Sequence, residues 1–350
     1  MDELIILLEL EAIAQHQMRQ ARVFRDRYNP VEFLSDREFI ELYRLRKCDV
    51  MQLLENGFGS IRETRRSQSI PAITQICAVL NILGTGATYR KTAELMGISP
   101  RSVLYCFWPI IDQFLNRAPE FIKFPENTIQ ISQQFYDLGQ IPNVIGCVDG
   151  TLIRIKRPSE NEHVYICRKG FPALNALIVN QPNLAISYLN CKFPGASHDA
   201  FIYRMSDVYD ALHRGKLEGE GILLGDSAFP LNHFTLTPIL YPTTNEERSY
   251  NREFRKVRCS VERTIGVWKC RWRIIDTQGG PIRCQPNKAA KIIVACAVLH
   301  NMCISNGVPA PAQPMLIERD RENEIAEEAI EGAELRGNII ESFRVRQGVD

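Results

Sequence analysis

Apolar residues recur at helical intervals through roughly the first 135 residues of the chain. The opening stretch MDELIILLELEAIAQHQMRQARVFRDRY shows this spacing before it turns basic. Ser35 followed by Glu38 forms a capping-box pattern, which predicts that a helix begins there. The run SIPAITQICAVLNILGTG predicts another helix, with Pro71 near its start and Gly84 at its end. Residues 1–135 are therefore predicted to form an all-helical region.

A helix-turn-helix-like unit is predicted within that region, at about residues 88–117. A short helix, a Gly-Ile-Ser turn and a longer second helix follow one another there. Five apolar residues are expected to pack the two helices together: Ala93, Leu95, Ile98, Val103 and Leu104. In such motifs the second helix lies in the major groove of DNA. A plain helical hairpin is the competing interpretation, because Arg101 is the only early basic residue of the second helix and Phe107 and Trp108 indicate core packing.

The pattern changes to strand-like runs between residues 140 and 305. VIGCVDGTLIRI, NALIVNQ and LAISYLNC come first, a helix is predicted to begin near Ser197, and GILLGDSAF follows it. Three strands ahead of the first helix indicate a mixed sheet rather than a repeated strand-helix unit. The absence of a GxGxxG or Walker A motif argues against a nucleotide-binding enzyme. Residues 306–350 predict a proline-containing linker and an acidic, solvated, partly helical tail.

Four acidic residues stand out because of their surroundings. Asp149 interrupts the apolar run of the first strand, where an unpaired carboxylate would cost several kcal/mol. Asp226 follows another strand, and Glu262 lies in RKVRCSVERTIGVWKCRWR, whose apolar stripe predicts a helix. Asp199 lies near a predicted helix start. Two interpretations of Asp199 stay open: a carboxylate that the helix dipole stabilises, or a further metal ligand.

The predicted helix of Glu262 carries a basic row on the face that the glutamate shares. At about 100° per residue, this row consists of Arg255, Arg258, Lys269 and Arg273. The combination fits phosphodiester chemistry, in which carboxylates hold divalent ions and basic residues grip the phosphate backbone. Mg²⁺ prefers such oxygen ligands, with Mn²⁺ as the alternative ion. We therefore predict phosphate contacts by the basic row and metal ligation by Asp149, Asp226 and Glu262, with Asp199 as a further ligand under the second of its two interpretations.

Composition narrows the class of protein only slightly. The net charge of the 350 residues is +1, so any basic surface must arise from local patterning. The eleven cysteines are scattered without a CxxC pair, which fits reduced thiols in a cytosolic or nuclear protein. Cys296, His300 and Cys303 have helical spacing, but a buried helix with one hydrogen-bonded histidine explains them more simply. We expect a soluble intracellular protein, since neither a membrane span nor a secretory signal is evident.

Several stretches between residues 140 and 305 together resemble a known family. In order, they are VIGCVDGTLIRI, RKGFPALNALIV, FPGASHDAFI, LLGDSAFPL, YNREFRKVRCSVERTIGVWKCRWRII and ACAVLHNMC. This series is similar to the PIF/Harbinger transposase superfamily, and specifically to its domesticated harbinger transposase-derived nucleases. The resemblance implies an α/β fold, a ribonuclease-H-like mixed sheet flanked by helices. It also implies a catalytic Asp-Asp-Glu triad, which falls on Asp149, Asp226 and Glu262.

The resemblance further implies a substrate, a partner and a location. DNA is the expected substrate, and DNA binding and nuclear import are expected to depend on a Myb/SANT-like partner protein. A nuclear location with a cytoplasmic pool follows. The leading hypothesis is a metal-dependent DNA endonuclease with a two-metal mechanism, in which a DNA 3′-hydroxyl could also serve as nucleophile for strand transfer. The alternatives are a catalytically silent DNA-binding or scaffold protein and, with a poorer match to the basic row, a small-molecule phosphohydrolase.

Overall fold

The computed structural model describes residues 29–59, 69–125, 127–215, 221–276, 279–311 and 330–346. The helix predicted at the start of the chain and the first part of the tail lie outside these residues. The α-helices are α1 (Pro30–Phe33), α2 (Asp36–Tyr43), α3 (Lys47–Glu55), α4 (Ala72–Thr85), α5 (Tyr89–Met96), α6 (Pro100–Asn116), α7 (Ala118–Phe121), α8 (Thr128–Gly139), α9 (Glu162–Tyr165), α10 (Asp199–Arg204), α11 (Asp207–His213), α12 (Asn245–Arg271), α13 (Pro286–Ser305) and α14 (Ile330–Arg346). The strands are β1 (Val144–Arg154), β2 (Ala173–Asn180), β3 (Ile186–Pro194), β4 (Ile222–Leu224) and β5 (Thr235–Leu236).

The helical signals near the start of the described chain are largely confirmed. The Ser35 side chain accepts a hydrogen bond from the backbone N–H of Glu38, and the Glu38 carboxylate accepts one from the N–H of Ser35. This capping box starts α2 as predicted. Pro71 occupies the N-cap position of α4, but the helix continues past Gly84 to Thr85, and Gly86 follows as the C-cap with a φ of 71° that suits glycine.

The helix-turn-helix-like unit forms from α5 and α6, which join at Gly97 with a φ of 62°. Ala93, Ile98 and Val103 are buried between the helices as predicted, whereas Leu104 is 43% exposed and the prediction for it is wrong. Helix α6 also packs against α4 and α13. Its buried residues include Phe107, Ile110, Ile111 and Phe114. The second helix therefore serves as a core helix along much of its length.

The five strands form one mixed sheet in the order β3-β2-β1-β4-β5. β1, β2 and β3 pair antiparallel, while β4 pairs parallel to β1 and to β5. This arrangement confirms the predicted mixed sheet and has the ribonuclease-H-like order. The structure adds two elements that were not predicted, the one-turn helix α9 and the two-residue strand β5, because neither is long enough to show a periodicity.

The prediction of a single helix beginning near Ser197 is wrong, because two short helices occupy that segment. α10 begins at Asp199 and ends at Arg204. Ser206 then caps α11, since its hydroxyl oxygen accepts a hydrogen bond from the backbone N–H of Tyr209 at 3.2 Å. A serine that competes for backbone hydrogen bonds favours a helix start over a helix interior, which explains the break.

Helices cover both faces of the sheet and give it two apolar layers. On one face, α8, α12 and α13 pack against β1 and β3, and the N-terminal helices α4 and α6 join the same core. On the other face, α10 and α11 cover Val148, Leu177 and Val179 with Ile202 and Tyr203. Because successive residues of β1 face opposite layers, each position on this strand has a defined side.

The tail helix α14 is only partly solvated, in contrast to the expectation for an acidic tail. Ile339 and Phe343 are buried, each with 5% exposure. α14 packs against α12, and Gly332 lies against the backbone of Asn232 near β5. The charged residues of this segment therefore occupy the outer side of a helix whose apolar side belongs to the core.

Helix α13 lies in the interior of the protein and carries the Cys296, His300 and Cys303 motif. It is the one described helix that is long and apolar enough to cross a membrane, and 61% of its most apolar window is buried inside the protein, as in a core helix. His300 Nε2 lies 2.8 Å from the carbonyl oxygen of Leu184. Burial lowers the pKa of His300 to about 3, so the ring is neutral. The burial of Cys296, His300 and Cys303 on α13, together with the contact to Leu184, agrees with the simpler interpretation of a buried helix with one hydrogen-bonded histidine.

A close approach between α8 and α12 depends on Gly139. A Cβ atom at this position would overlap the side chain of Val257 and the carbonyl of Glu253. We expect Gly139→Ala to lower the free energy of unfolding by about 2 kcal/mol, as overpacking does. Gly337→Ala is the matched control, because nothing lies within 4 Å of its Cβ position. The control should raise stability by about 0.5–1 kcal/mol. Equal effects in urea denaturation would show that the close approach is not needed.

Candidate active site

Asp149 lies where the sheet leaves one edge of β1 open. β4 pairs with β1 only from Val144 to Cys147, while β2 pairs along the other edge from Cys147 to Arg154. The Asp149 side chain is 14% exposed, and its Oδ1 accepts a hydrogen bond from the N–H of Gly150 at 2.9 Å. The aspartate that interrupts the apolar run therefore places a carboxylate where one edge of this rigid central strand is unpaired and accessible.

Asp226 follows β4 and is held by its own turn. Its Oδ1 accepts a hydrogen bond from the N–H of Ala228 at 2.9 Å, and its carbonyl accepts one from Phe229 at 3.2 Å. The preceding Gly225 is packed against the Phe229 ring, where a Cβ atom would not fit. The strand end and this Asx-type turn fix the direction of the carboxylate.

Glu262 is placed by the way α12 is attached to the sheet. The helix starts with a capping box at Thr244 and Glu247 and buries an apolar stripe that includes Val257, Val261 and Trp268. Asn180 joins it to the sheet: its amide donates to Ser260 at 3.0 Å and Thr264 at 3.2 Å, and its oxygen accepts from the N–H of Cys147. Sequence reasoning missed Asn180, since an asparagine at a strand end gives no distinctive signal.

Arg258 brings the three acids together. Its Nη2 lies 3.2 Å from Asp149 Oδ2 and 3.7 Å from Asp226 Oδ2, and its Nη1 lies 2.5 Å from Glu262 Oε1. The Arg258 side chain is 18% exposed, while Asp226 and Glu262 are 33% and 25% exposed. The structure thus gathers the predicted triad around one guanidinium, at a site that solvent still reaches.

The cluster carries more negative than positive charge. Burial raises the pKa of Asp149 to about 7; Arg258 opposes this shift, and the nearby carboxylates of Asp226, Asp199 and Glu262 add to it. Burial would lower the pKa of Arg258, but the carboxylates of Asp149, Asp226 and Glu262 raise it above its ordinary value. A proton or a further cation is therefore needed to balance the cluster at neutral pH.

Asp199 lies beside this cluster, on the opposite face of β1 from Asp149. Its carboxylate occupies the space that a side chain of Gly150 would fill, and it accepts a hydrogen bond from Asn175 Nδ2 at 2.6 Å. Burial raises the pKa of Asp199, the Asn175 hydrogen bond opposes this, and Asp226 adds to it. Asn175 and Gly150 are further residues that the sequence did not single out. Metal ligation by Asp199 stays a prediction.

The predicted basic row does not form a uniform surface. Arg255 is exposed, while Arg258, expected to contact phosphate, is engaged with the triad acids. Lys269 Nζ donates to the carbonyl oxygen of Leu152 at 3.1 Å, on β1. Arg273 lies beyond the end of α12, in a 3-10 turn. Their contacts with phosphate stay a prediction, and the four residues occupy different settings.

The donor atoms suit a hard divalent cation, although Arg258 occupies the space among them. The triad offers carboxylate oxygens only, which Mg²⁺ and Mn²⁺ prefer. Among the described residues, no group of three or more His, Cys, Asp or Glu is arranged to hold a metal as it stands. The chemistry and charge of the cluster fit such an ion. The Arg258 side chain would have to move away from the carboxylates for the ion to bind there.

Comparison with known proteins places the chain in a family. Residues 148–301 match the family described as DDE superfamily endonuclease. The rat protein named "Putative nuclease HARBI1" is 31% identical over 326 residues, covering 92% of this chain and 91% of its own length. The chain belongs to the harbinger transposase-derived nucleases. The human HARBI1 protein is 29% identical over the same coverage, and an Arabidopsis thaliana protein named ALP1-like is 24% identical over 73% of this chain and 68% of its own. No solved structure matches the chain.

Membership of the harbinger transposase-derived nucleases confirms the resemblance noted in the sequence and makes the chain a nuclease by family. The family match begins one residue before Asp149 and includes Asp226 and Glu262. It ends at residue 301, so it covers the sheet apart from the first four residues of β1, all of α12 and most of α13. A nucleic acid is accordingly the class of substrate that the family indicates.

Removal of the central guanidinium should expose the repulsion among the acids. We expect Arg258→Met to lower the free energy of unfolding by about 2 kcal/mol in the presence of a chelator, because three partly buried carboxylates lose their counter-charge. Millimolar Mg²⁺ should restore most of this loss. Arg255→Met, on an exposed position of the same helix, is the control. Thermal unfolding in which both variants respond alike to chelator and Mg²⁺ would contradict the role given to Arg258.

The raised pKa of Asp149 predicts how stability depends on pH without divalent ions. The folded chain keeps a proton on Asp149 up to about pH 7, whereas the unfolded chain releases it near 3.8. The contribution of Asp149 to the free energy of unfolding should therefore fall as pH rises from about 4 to 7. Asp149→Asn should lose this dependence, so the variant gains stability relative to wild type as pH increases. A constant difference between the two proteins from pH 5 to 8 would contradict the shift.

Proposed function

We propose that this nuclease is a metal-dependent DNA endonuclease that hydrolyses phosphodiester bonds at Asp149, Asp226 and Glu262. The single observation that carries the proposal is the convergence of these three carboxylates within 3.7 Å of one guanidinium. A structural ion pair needs one acid for one base. Three acids around one base leave an excess of negative charge, which lowers the stability of the fold unless a bound cation neutralises it.

The residues of the cluster have distinct parts in this proposal. Asp149, Asp226 and Glu262 would hold Mg²⁺, with Mn²⁺ as the alternative, and Asp199 would be a further ligand or would orient Asp226. When bound, a pair of such ions activates water and stabilises the leaving oxygen in phosphoryl transfer. Ionised Asp149 is the form that binds a cation, so binding should strengthen as pH rises towards and beyond 7.

In this proposal Arg258 contacts first the carboxylates of the triad and then the phosphate of the substrate. Its guanidinium holds the acids together and competes with a divalent cation for the same oxygens. Once released from the carboxylates, it lies at the site edge with a planar fork that suits phosphate oxygens. Arg255 and Lys269 lie on the same side of α12, where they would contact the backbone beyond the reacting bond.

The chemistry also admits strand transfer, with a DNA 3′-hydroxyl in place of water as the nucleophile. The catalytically silent scaffold is the weaker candidate, because a protein without catalysis gains nothing from a crowded acidic cluster. We further propose a Myb/SANT-like partner that supplies sequence recognition, and a nuclear location with a cytoplasmic pool. The net charge of +1 supports the partner proposal, since strong general attraction to DNA is not expected of the chain as a whole.

Cleavage of DNA tests the proposal directly. We expect nicking of supercoiled plasmid in Mg²⁺, measured with and without the partner, to fall about a thousandfold or more in Asp149→Asn, Asp226→Asn and Glu262→Gln. Asp137→Asn, an exposed acid on α8, is the control and should cut like wild type. Full activity in the three triad variants would refute the assignment. Loss of activity that tracks unfolding rather than the carboxylate would also count against it.

A further inference from the structure

A group of exposed basic side chains lies at the carboxyl end of β1, away from the triad. Residues 154–172 contain five Lys and Arg against two Glu, although the whole chain has a net charge of only +1. We call Arg154, Lys156 and Arg283 the β1-end basic surface. All three side chains belong to exposed residues, and none belongs to the basic row of α12.

Backbone hydrogen bonds hold this surface together. The N–H of Ile282 donates to the carbonyl of Arg154 at 3.0 Å, and the N–H of Lys156 donates to the carbonyl of Ile282 at 2.8 Å. Ile155 and Ile282 form the resulting parallel bridge and are 1% and 3% exposed. Because extended residues alternate in direction, the basic residues that flank this buried pair face away from the core. They therefore form a fixed surface rather than a loose loop.

The charges of the surface are not neutralised by neighbouring acids. Among the described residues, no carboxylate forms an ion pair with Arg154, Lys156 or Arg283. Of the two glutamates in residues 154–172, Glu162, at the start of α9, forms an ion pair with Arg157 at 2.9 Å. The Arg154 guanidinium lies 4.4 Å from the centroid of the Phe171 ring, which limits its motion while leaving its N–H groups available.

We propose that the β1-end basic surface binds the phosphate backbone of DNA flanking the point of cleavage. This inference rests on the proposed function. Arg154 is five residues from Asp149 on the same strand, a distance of about 17 Å at the strand rise, and because successive residues alternate it faces the other layer of the sheet, on the side of Asp199. That distance equals the axial rise of about five base pairs, so the surface contacts duplex outside the reacting nucleotides. A row of unpaired cations without an apolar patch suits a polyanion rather than a folded protein partner.

A binding experiment without divalent ions tests the inference separately from catalysis. The probe is a fluorescein-labelled 40-base-pair DNA duplex, followed by fluorescence anisotropy in EDTA over a range of salt concentrations. The test variant is the triple substitution Arg154→Gln, Lys156→Gln and Arg283→Gln. The control is a charge-matched triple substitution at the exposed positions Arg37, Lys192 and Lys291, which lie outside the helix-turn-helix-like unit, each to Gln. Thermal unfolding of both variants checks that the fold is intact.

The test variant should bind the duplex about tenfold or more weakly, and its slope of log affinity against log salt should shrink by about 3, one unit per lost phosphate contact. In Mg²⁺ cleavage assays it should show a raised KM and an unchanged kcat, unlike the triad variants. Binding by the test variant that equals the control would overturn the inference and leave the proposed function standing. A wild-type chain that cuts no DNA but still loses binding in the test variant would contradict the proposed function alone. A wild-type chain that binds no DNA would overturn both.

Discussion

The carboxylates of Asp149, Asp226 and Glu262 repel one another, and the folded chain has to hold them together against this repulsion. Side chains of like charge separate unless rigid elements hold them, and here each acid belongs to a different element: a central strand, a turn after β4 and the long helix α12. Arg258 balances part of the charge. Burial of the apolar layers on both faces of the sheet offsets the unfavourable free energy of bringing these acids together.

The large elements of this arrangement were predictable because each leaves a regular pattern in the sequence. β1 is an apolar run broken by one aspartate, and α12 repeats buried residues at steps of three and four around Val257, Val261 and Trp268. The mixed sheet followed from three strand-like runs ahead of the helical segment that begins near Ser197. In a long periodic segment the spacing of apolar side chains identifies the buried positions, so these predictions agree with the structure.

What the sequence did not reveal depends on contacts between distant segments. Asn180 pins α12 to the sheet, Asn175 holds Asp199, and Gly150 leaves room for that carboxylate; no local pattern marks any of them. Arg258 was predicted from helical geometry to face phosphate with its row. A wheel projection gives the direction of a side chain but not its distance from other elements. The break between α10 and α11 was missed because an apolar spacing continues across Ser206.

In the proposed function, the three acids share a divalent cation, and Arg258 and this cation compete for the carboxylates. Diffraction from crystals grown with Mn²⁺, with data collected at the manganese absorption edge, can locate such an ion. We expect an anomalous peak within ligand distance of Asp149, Asp226 and Glu262, with the Arg258 guanidinium moved away from the carboxylates. A structure in which Arg258 keeps all three ion pairs in saturating Mn²⁺, with no peak among the acids, would refute this competition.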